Sequence, residues 1–240
     1  MKRIVLGLLA VLLLISIGFV IWAETPLGPS PEALSALESD SQVTVTVNDF
    51  ITFQPADGKP TTAFIFYPGG RVDYRSYAAP LHAIAAQGYL VVLVPVRLNL
   101  AFFDINAADS VFAQYPEIQH WAVGGHSLGG VASALFAKDH PQLEGIIFWA
   151  SYPADDSLKN SNLKMLSIYG TNDMAGMTKF DETKPLLVSD AEYVVIQGGN
   201  HAQFGDYGPQ PGDNEATISR ADQQAQVVQA TAGFLMELGK

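Results

Sequence analysis

The stretch Val123-Gly124-Gly125-His126-Ser127-Leu128-Gly129-Gly130 leaves the backbone few ways to run. Trp121-Ala122-Val123 ahead of it reads as the end of a buried strand. Leu128 to Asp139 behind it reads as a helix rich in small residues: Gly129, Gly130, Ala132, Ser133 and Ala134. A strand that passes straight into a helix must turn a sharp corner. Gly-x-Ser-x-Gly, here Gly125, Ser127 and Gly129, suits that corner. Ser127 takes the strained apex with its hydroxyl above the sheet, and a side chain at either glycine would strike the neighbouring strand or helix. The helix N-terminus adds a partial positive charge beside the hydroxyl. The plainer alternative is a glycine-rich turn carrying an inert serine.

Around this corner, short apolar runs recur: Phe64-Ile65-Phe66, Val91 to Val94, Ile146 to Trp149, Met165 to Ile168 and Val194 to Ile196. Runs of this kind suit parallel strands buried on both faces. Segments near Tyr77–Gln87, Ala101–Gln114, Leu128–Asp139 and Asp222–Leu238 read as the helices between them. In the last, Val227, Phe234, Leu235 and Leu238 form one apolar stripe. The alternation predicts an α/β fold, a mostly parallel sheet covered by helices on both faces. Val43 to Val47 alternates strictly, which predicts a half-buried, antiparallel edge strand.

A serine hydroxyl is a weak nucleophile without a base, an orienting carboxylate and donors for the oxyanion. Loops at strand C-termini are where open parallel sheets place such groups. His201, in Gly198-Gly199-Asn200-His201 after the last predicted strand, is the best base. His82 lies within a helix, His120 begins a strand, His140 ends a helix, and His126 should point away from its neighbour Ser127. Asp173, in Gly170-Thr171-Asn172-Asp173, and Asp206 are the rival carboxylates. Leu128, directly after the serine, offers one oxyanion N–H group. The turn Tyr67-Pro68-Gly69-Gly70-Arg71 offers the second, assigned to Gly70, with Gly69 and Arg71 as alternatives. Tyr74, Arg97 and Phe102 are candidates for lining a cleft, and the polar loop Asp206–Arg220 is a candidate rim for it.

Together the elbow and the segments Tyr67-Pro68-Gly69-Gly70, Gly170-Thr171-Asn172-Asp173 and Gly198-Gly199-Asn200-His201 resemble the α/β-hydrolase superfamily. The likeness spans about residues 42–240 and is to its capless esterase branch, near dienelactone hydrolases and cutinase-like polyesterases. It implies the chain order serine, acid, histidine, which favours Asp173 over Asp206. It also implies ester cleavage without a cofactor or metal. Many relatives insert a lid after the strand ending here at Trp149, whereas only about fourteen residues precede the next strand. No cap domain fits, and a shallow site for small or short-acyl esters is expected. Lipids, thioesters, amides and polyesters are alternative substrates. A membrane-anchored binding domain without turnover is an alternative of a different class.

Ahead of this domain, Ile4 to Ala23 carries no charge and follows Lys2-Arg3. About 20 helical residues at 1.5 Å each span the roughly 30 Å of a bilayer core. Residues 1–23 are therefore expected to form a transmembrane signal anchor. The basic end would stay cytoplasmic, Trp22 would sit at the far interface and the domain outside. A cleaved signal peptide is the alternative and would make the domain secreted. Residues 24–41, with Pro26, Pro29, Pro31 and Gly28, read as a flexible linker with room for one helical turn around Ala33–Glu38. The net charge of −11 argues against a nucleic-acid partner. The chain has no cysteine, which removes thiolate catalysis and cysteine metal sites.

Overall fold

A computed structural model describes residues 2–240. Met1, the first residue of the expected anchor, lies outside the described residues. Eight strands form one sheet: β1 (Val43–Val47), β2 (Ile51–Pro55), β3 (Thr62–Tyr67), β4 (Leu90–Leu93), β5 (His120–His126), β6 (Leu143–Trp149), β7 (Lys164–Gly170) and β8 (Glu192–Ile196). Their spatial order is β1-β2-β4-β3-β5-β6-β7-β8. The β1–β2 and β2–β4 pairs are antiparallel, and the rest of the sheet is parallel. The alternation of Val43 to Val47 does form the antiparallel edge. Its partner β2 was not singled out in the sequence, where Ile51 to Phe53 merges with the run before it.

The helices are α1 (Lys2–Ala23), α2 (Pro31–Ser35), α3 (Ala78–Ala85), α4 (Val111–Gln114), α5 (Leu128–Ala137), α6 (Met177–Thr183) and α7 (Arg220–Met236). Successive strand residues face opposite sides, and β3 shows the result. Phe64 and Phe66 join one apolar core with Leu81 and Ile84 of α3 and Val227 and Phe234 of α7. Ile65 and Tyr67 join the other with Val111 of α4 and Ala132 and Phe136 of α5. The sheet is thus covered on both faces. The connection from β6 to β7, residues 150–163, contains no helix, so no cap stands over the C-terminal ends of the strands.

Two expectations need correction. Ala101–Gln114 is not one helix: a 3-10 turn at Ala101–Phe103 and the short α4 are separated by non-helical chain. The buried Tyr67 hydroxyl donates to the Ile105 carbonyl at 2.5 Å and accepts from the Ala108 N–H at 3.3 Å, taking up groups a helix would pair internally. Asp104, Asn106, Asp109 and Ser110 also favour turns over helix interior. Residues 24–41 do not hang free. Ser30 caps α2 by accepting the Ala33 N–H, its own N–H donates to the Asp206 carbonyl at 2.7 Å, and Ala33 is fully buried. Leu27 forms a parallel bridge to Val72. Pro26 and Pro29 lie on a non-helical path that packs on the domain, and Pro31 opens α2.

The helix α1 is a single run of 22 residues. It is long and apolar enough to cross a membrane or to serve as a signal sequence, and of its residues only Ala23 is buried against the domain.

Candidate active site

The corner between β5 and α5 has the expected strain. Ser127 sits at φ 52°, ψ −119°, a left-handed conformation rare for a residue with a side chain. Its N–H donates to the Trp149 carbonyl at 3.0 Å, and its own carbonyl accepts from the Ser151 hydroxyl at 2.6 Å. These bonds tie the apex to β6. A Cβ on Gly125 would lie 2.6 Å from the Tyr67 carbonyl oxygen, and one on Gly129 would collide with the Tyr67 and Pro68 carbonyls. The elbow therefore needs glycine at both places for space.

His201 and Asp173 are brought together. His201 Nδ1 lies 2.9 Å from Asp173 Oδ2, and both side chains are almost fully buried. A carboxylate only accepts, so Nδ1 carries the hydrogen and the Nε2 lone pair of the neutral ring is left free. Asp173 Oδ1 accepts the Ala175 N–H at 2.8 Å, which fixes the carboxylate plane. Asp206 is not at His201. Its carboxylate faces Arg220 at 3.5 Å, and burial raises its pKa.

Ser127, Leu128 and His201 line one cleft of about 360 Å³, with Tyr152, Met174 and Gln210 on its walls. Of the three N–H groups in the turn after β3, two are engaged. Gly69 donates to the Tyr77 hydroxyl at 3.1 Å, and Arg71 donates to the Asn99 carbonyl at 2.7 Å. Gly70 is the remaining one. It abuts Leu128: a Cβ on Gly70 would lie 2.9 Å from Leu128 Cδ2. Tyr74, Arg97 and Phe102 do not line the cleft. Arg97 pairs with Asp104 instead, and Phe102 is half exposed. A larger hollow, about 730 Å³, opens near Leu143 and Lys164 at the opposite end of the strands and holds none of these residues. Among the described residues no cluster of His, Asp or Glu is arranged to hold a metal ion.

Several residues that hold the site were not singled out in the sequence. His126, fully buried, donates from Nε2 to the His201 carbonyl at 3.1 Å and accepts at Nδ1 from the Tyr77 hydroxyl at 2.8 Å. With the Gly69 N–H on Tyr77, one polar chain joins the turn after β3, the elbow and the His201 loop. Burial, then repulsion from His201, holds the His126 pKa well below the usual histidine value, and burial pushes the Tyr77 phenol up. Both stay neutral, as the bonds require. Gln223 of α7 brackets Asn200, accepting its N–H at 3.0 Å and donating to its carbonyl at 2.7 Å. Asp213 accepts the N–H groups of His201 at 3.3 Å and Ala202 at 2.8 Å. The loop 206–220 is thus pinned to the site as well as supplying Gln210. The one available signal was the density of Asn, Asp and Gln in that loop and at the start of α7.

The sequence profile described as the Alpha/beta hydrolase family matches residues 63–225. No curated protein matches the sequence. Among solved structures, the esterase domain of a Rhodothermus marinus protein superposes with a TM-score of 0.62 at 15% identity, covering 82% of this chain and 98% of that one. A dienelactone hydrolase from Anabaena variabilis ATCC 29413 superposes with a TM-score of 0.63 at 16% identity, covering 82% and 99%. At such identities the likeness speaks for the fold. With the family profile covering well over half of its length and the elbow standing at the C-terminal end of β5, this chain belongs to the alpha/beta hydrolase family.

Proposed function

We propose that the protein is a serine hydrolase that cleaves carboxylic esters through an acyl-enzyme. The observation that carries this reading is His201, bonded through Nδ1 to the buried Asp173 and lining the same cleft as Ser127. His201 Nε2 takes the Ser127 proton as Oγ bonds to the ester carbonyl carbon. The resulting oxyanion accepts from the Leu128 and Gly70 N–H groups, at the positive end of α5. The C–O bond to the alcohol breaks, and His201 returns its proton to the leaving oxygen. Water then repeats the sequence at the acyl carbonyl, releasing the acid and restoring Ser127. Asp173 holds the imidazole tautomer and stabilises its cation.

The helix α1 supports membrane anchoring, with the domain on the non-cytoplasmic side. The partners in this reading are small-molecule esters and the membrane; the acidic balance leaves out nucleic acid. The uncapped cleft favours short acyl groups among dissolved esters, since each further methylene left in water forgoes about 0.8 kcal/mol. A fluorophosphonate probe should label the wild type and not Ser127→Ala. That variant should lose at least about 10³-fold in kcat with its fold intact. For dissolved p-nitrophenyl esters, kcat/KM should decline from C4 to C12. Labelling that persists in Ser127→Ala would overturn the nucleophile, and a maximum at C10 or beyond would overturn the shallow site.

A further inference from the structure

The C-terminal end of α1 is clamped to the loops that flank the candidate oxyanion site. Arg71, next in sequence to Gly70, donates from Nε to the Trp22 carbonyl at 2.8 Å and from Nη2 to the Thr25 carbonyl at 2.7 Å. Its guanidinium lies 4.3 Å from the centre of the Trp22 ring. Asn99, in the loop after β4, donates to the Ala23 carbonyl at 3.1 Å. Terminal helix carbonyls that would otherwise need water are thereby paired with the domain. Arg71, Leu98 and Asn99 all hold positive φ, as does Ser127, so backbone strain gathers at the clamp as it does at the elbow. This junction lies at the end of the sheet where β3, β4 and β5 finish and the Ser127 cleft opens.

The clamp leaves little slack. At 1.5 Å per residue, 22 residues extend about 33 Å, against roughly 30 Å of hydrocarbon. If α1 crosses the bilayer, Ala23 stands at the boundary and Phe19, about 6 Å further along the axis, stands inside it. The Phe103 ring packs on Phe19, with centroids 6.0 Å apart. Phe102 and Phe103 are 48% and 50% exposed, although they belong to the domain and not to the helix. Aromatic rings at that depth match the membrane interface. Leu100, just before them, abuts the Gly70 position, where an added Cβ would lie 3.6 Å from Leu100 Cδ2.

We propose that the clamp turns the catalytic end of the sheet toward the bilayer, with Phe102 and Phe103 seated in the interface, so that the substrate is an amphiphilic ester drawn from the membrane. This rests on the ester-hydrolase reading above and on α1 spanning the membrane. A cleft of about 360 Å³ then suffices for a long molecule, because its alkyl chain stays in lipid while only the ester group enters.

The absence of cysteine allows a clean test. Full-length protein carrying Phe102→Cys or Phe103→Cys, labelled with an environment-sensitive fluorophore, is reconstituted into phosphatidylcholine vesicles containing a shallow spin-labelled lipid. Asp57→Cys and Glu117→Cys, both exposed at the opposite end of the strands, are the controls. Strong quenching at 102 and 103, with little at 57 and 117, is expected. Equal weak quenching at all four, or stronger quenching at the far end, overturns the proposed seat. The second arm compares release of acetate from a long-chain alkyl acetate in the vesicles with hydrolysis of dissolved p-nitrophenyl acetate. In the double variant Phe102→Ser/Phe103→Ser, the ratio of the two rates should fall about tenfold. An unchanged ratio overturns delivery from the membrane. If neither ester is hydrolysed by the wild type while the quenching pattern holds, the ester reading fails and the seat stands.

Discussion

The elbow and the histidine loop put the two halves of one proposed reaction in place by opposite means. The elbow is built by the exclusion of side chains. Ser127 is held between β5 and α5, and the space it needs is secured by glycines two residues away on either side. The loop carrying His201 has no such steric cause. Its backbone is held by Asp213, by Gln223 of α7 and by His126 on β5, from 12, 23 and 75 residues away in the chain. Steric exclusion makes one half rigid, and buried hydrogen bonds make the other rigid. The first kind should fail abruptly when disturbed, and the second by degrees.

The largest effect is expected at Gly129→Ala. The added methyl meets the carbonyls of Tyr67, the last residue of β3, and of Pro68 just after it, so neither can yield without shifting the end of β3. A loss on the order of 4 kcal/mol, read from denaturant unfolding, is expected. A well-folded variant within about 1 kcal/mol of wild type would break the claim that the elbow is sterically fixed. Next comes Gln223→Ala, which strands a buried N–H and a buried carbonyl of Asn200. It should cost about 3 kcal/mol. It should also lower kcat about tenfold or more with little change in KM, since the base shifts while the cleft remains. Equal loss of stability with no change in kcat would mean that Gln223 supports the fold but not the base.

Tyr77→Phe removes one hydroxyl from the polar chain and leaves the Gly69 N–H and His126 Nδ1 unpaired. About 2 kcal/mol of stability should go, with the measurement again by denaturant. The smallest effect is graded with pH. The folded pKa of His126 lies well below its unfolded value of 6.5. Below that pH the unfolded chain takes up a proton there and the folded chain does not. Stability therefore falls as pH drops, by up to about 1.4 kcal/mol per pH unit, until the folded pKa is reached. Unfolding midpoints at pH 7, 6 and 5 should separate wild type from His126→Gln by that slope. Parallel profiles would remove His126 from the account.

The same division decided what could be read in the sequence. The glycines around Ser127 form their pattern within five residues, and the apolar runs of β3 to β8 form theirs within four or so, which makes both legible. The placing of His201 after the last strand and of Asp173 after the one before it follows from topology, and the two side chains do meet. In sequence His126 has no visible role, because neighbours on a tight turn diverge. It does diverge from Ser127, but toward Tyr77 and the His201 carbonyl, partners that no local pattern announces. The composition of Ala101–Gln114 allows a helix. The competitor was a tyrosine hydroxyl on another strand. Residues 24–41 carry the proline and glycine of a linker, and what packs against them lies far away in the chain.

That packed stretch bears on how the domain can be parted from its helix. Ser30 and Ala33 fasten it to the body of the protein, and His82 Nδ1 meets the Ala36 carbonyl at 2.9 Å. A protease that nicked the chain near Ser41 would release no domain, because the severed piece would remain bound along the flank. Clean shedding requires a cut ahead of Thr25, where the chain is still helical and pressed against Arg71. A soluble form for preparation should begin at Glu24 and keep the whole strap. Begun at Ser41, it would bare the seat of Ala33 and the edge of Leu81's helix to water.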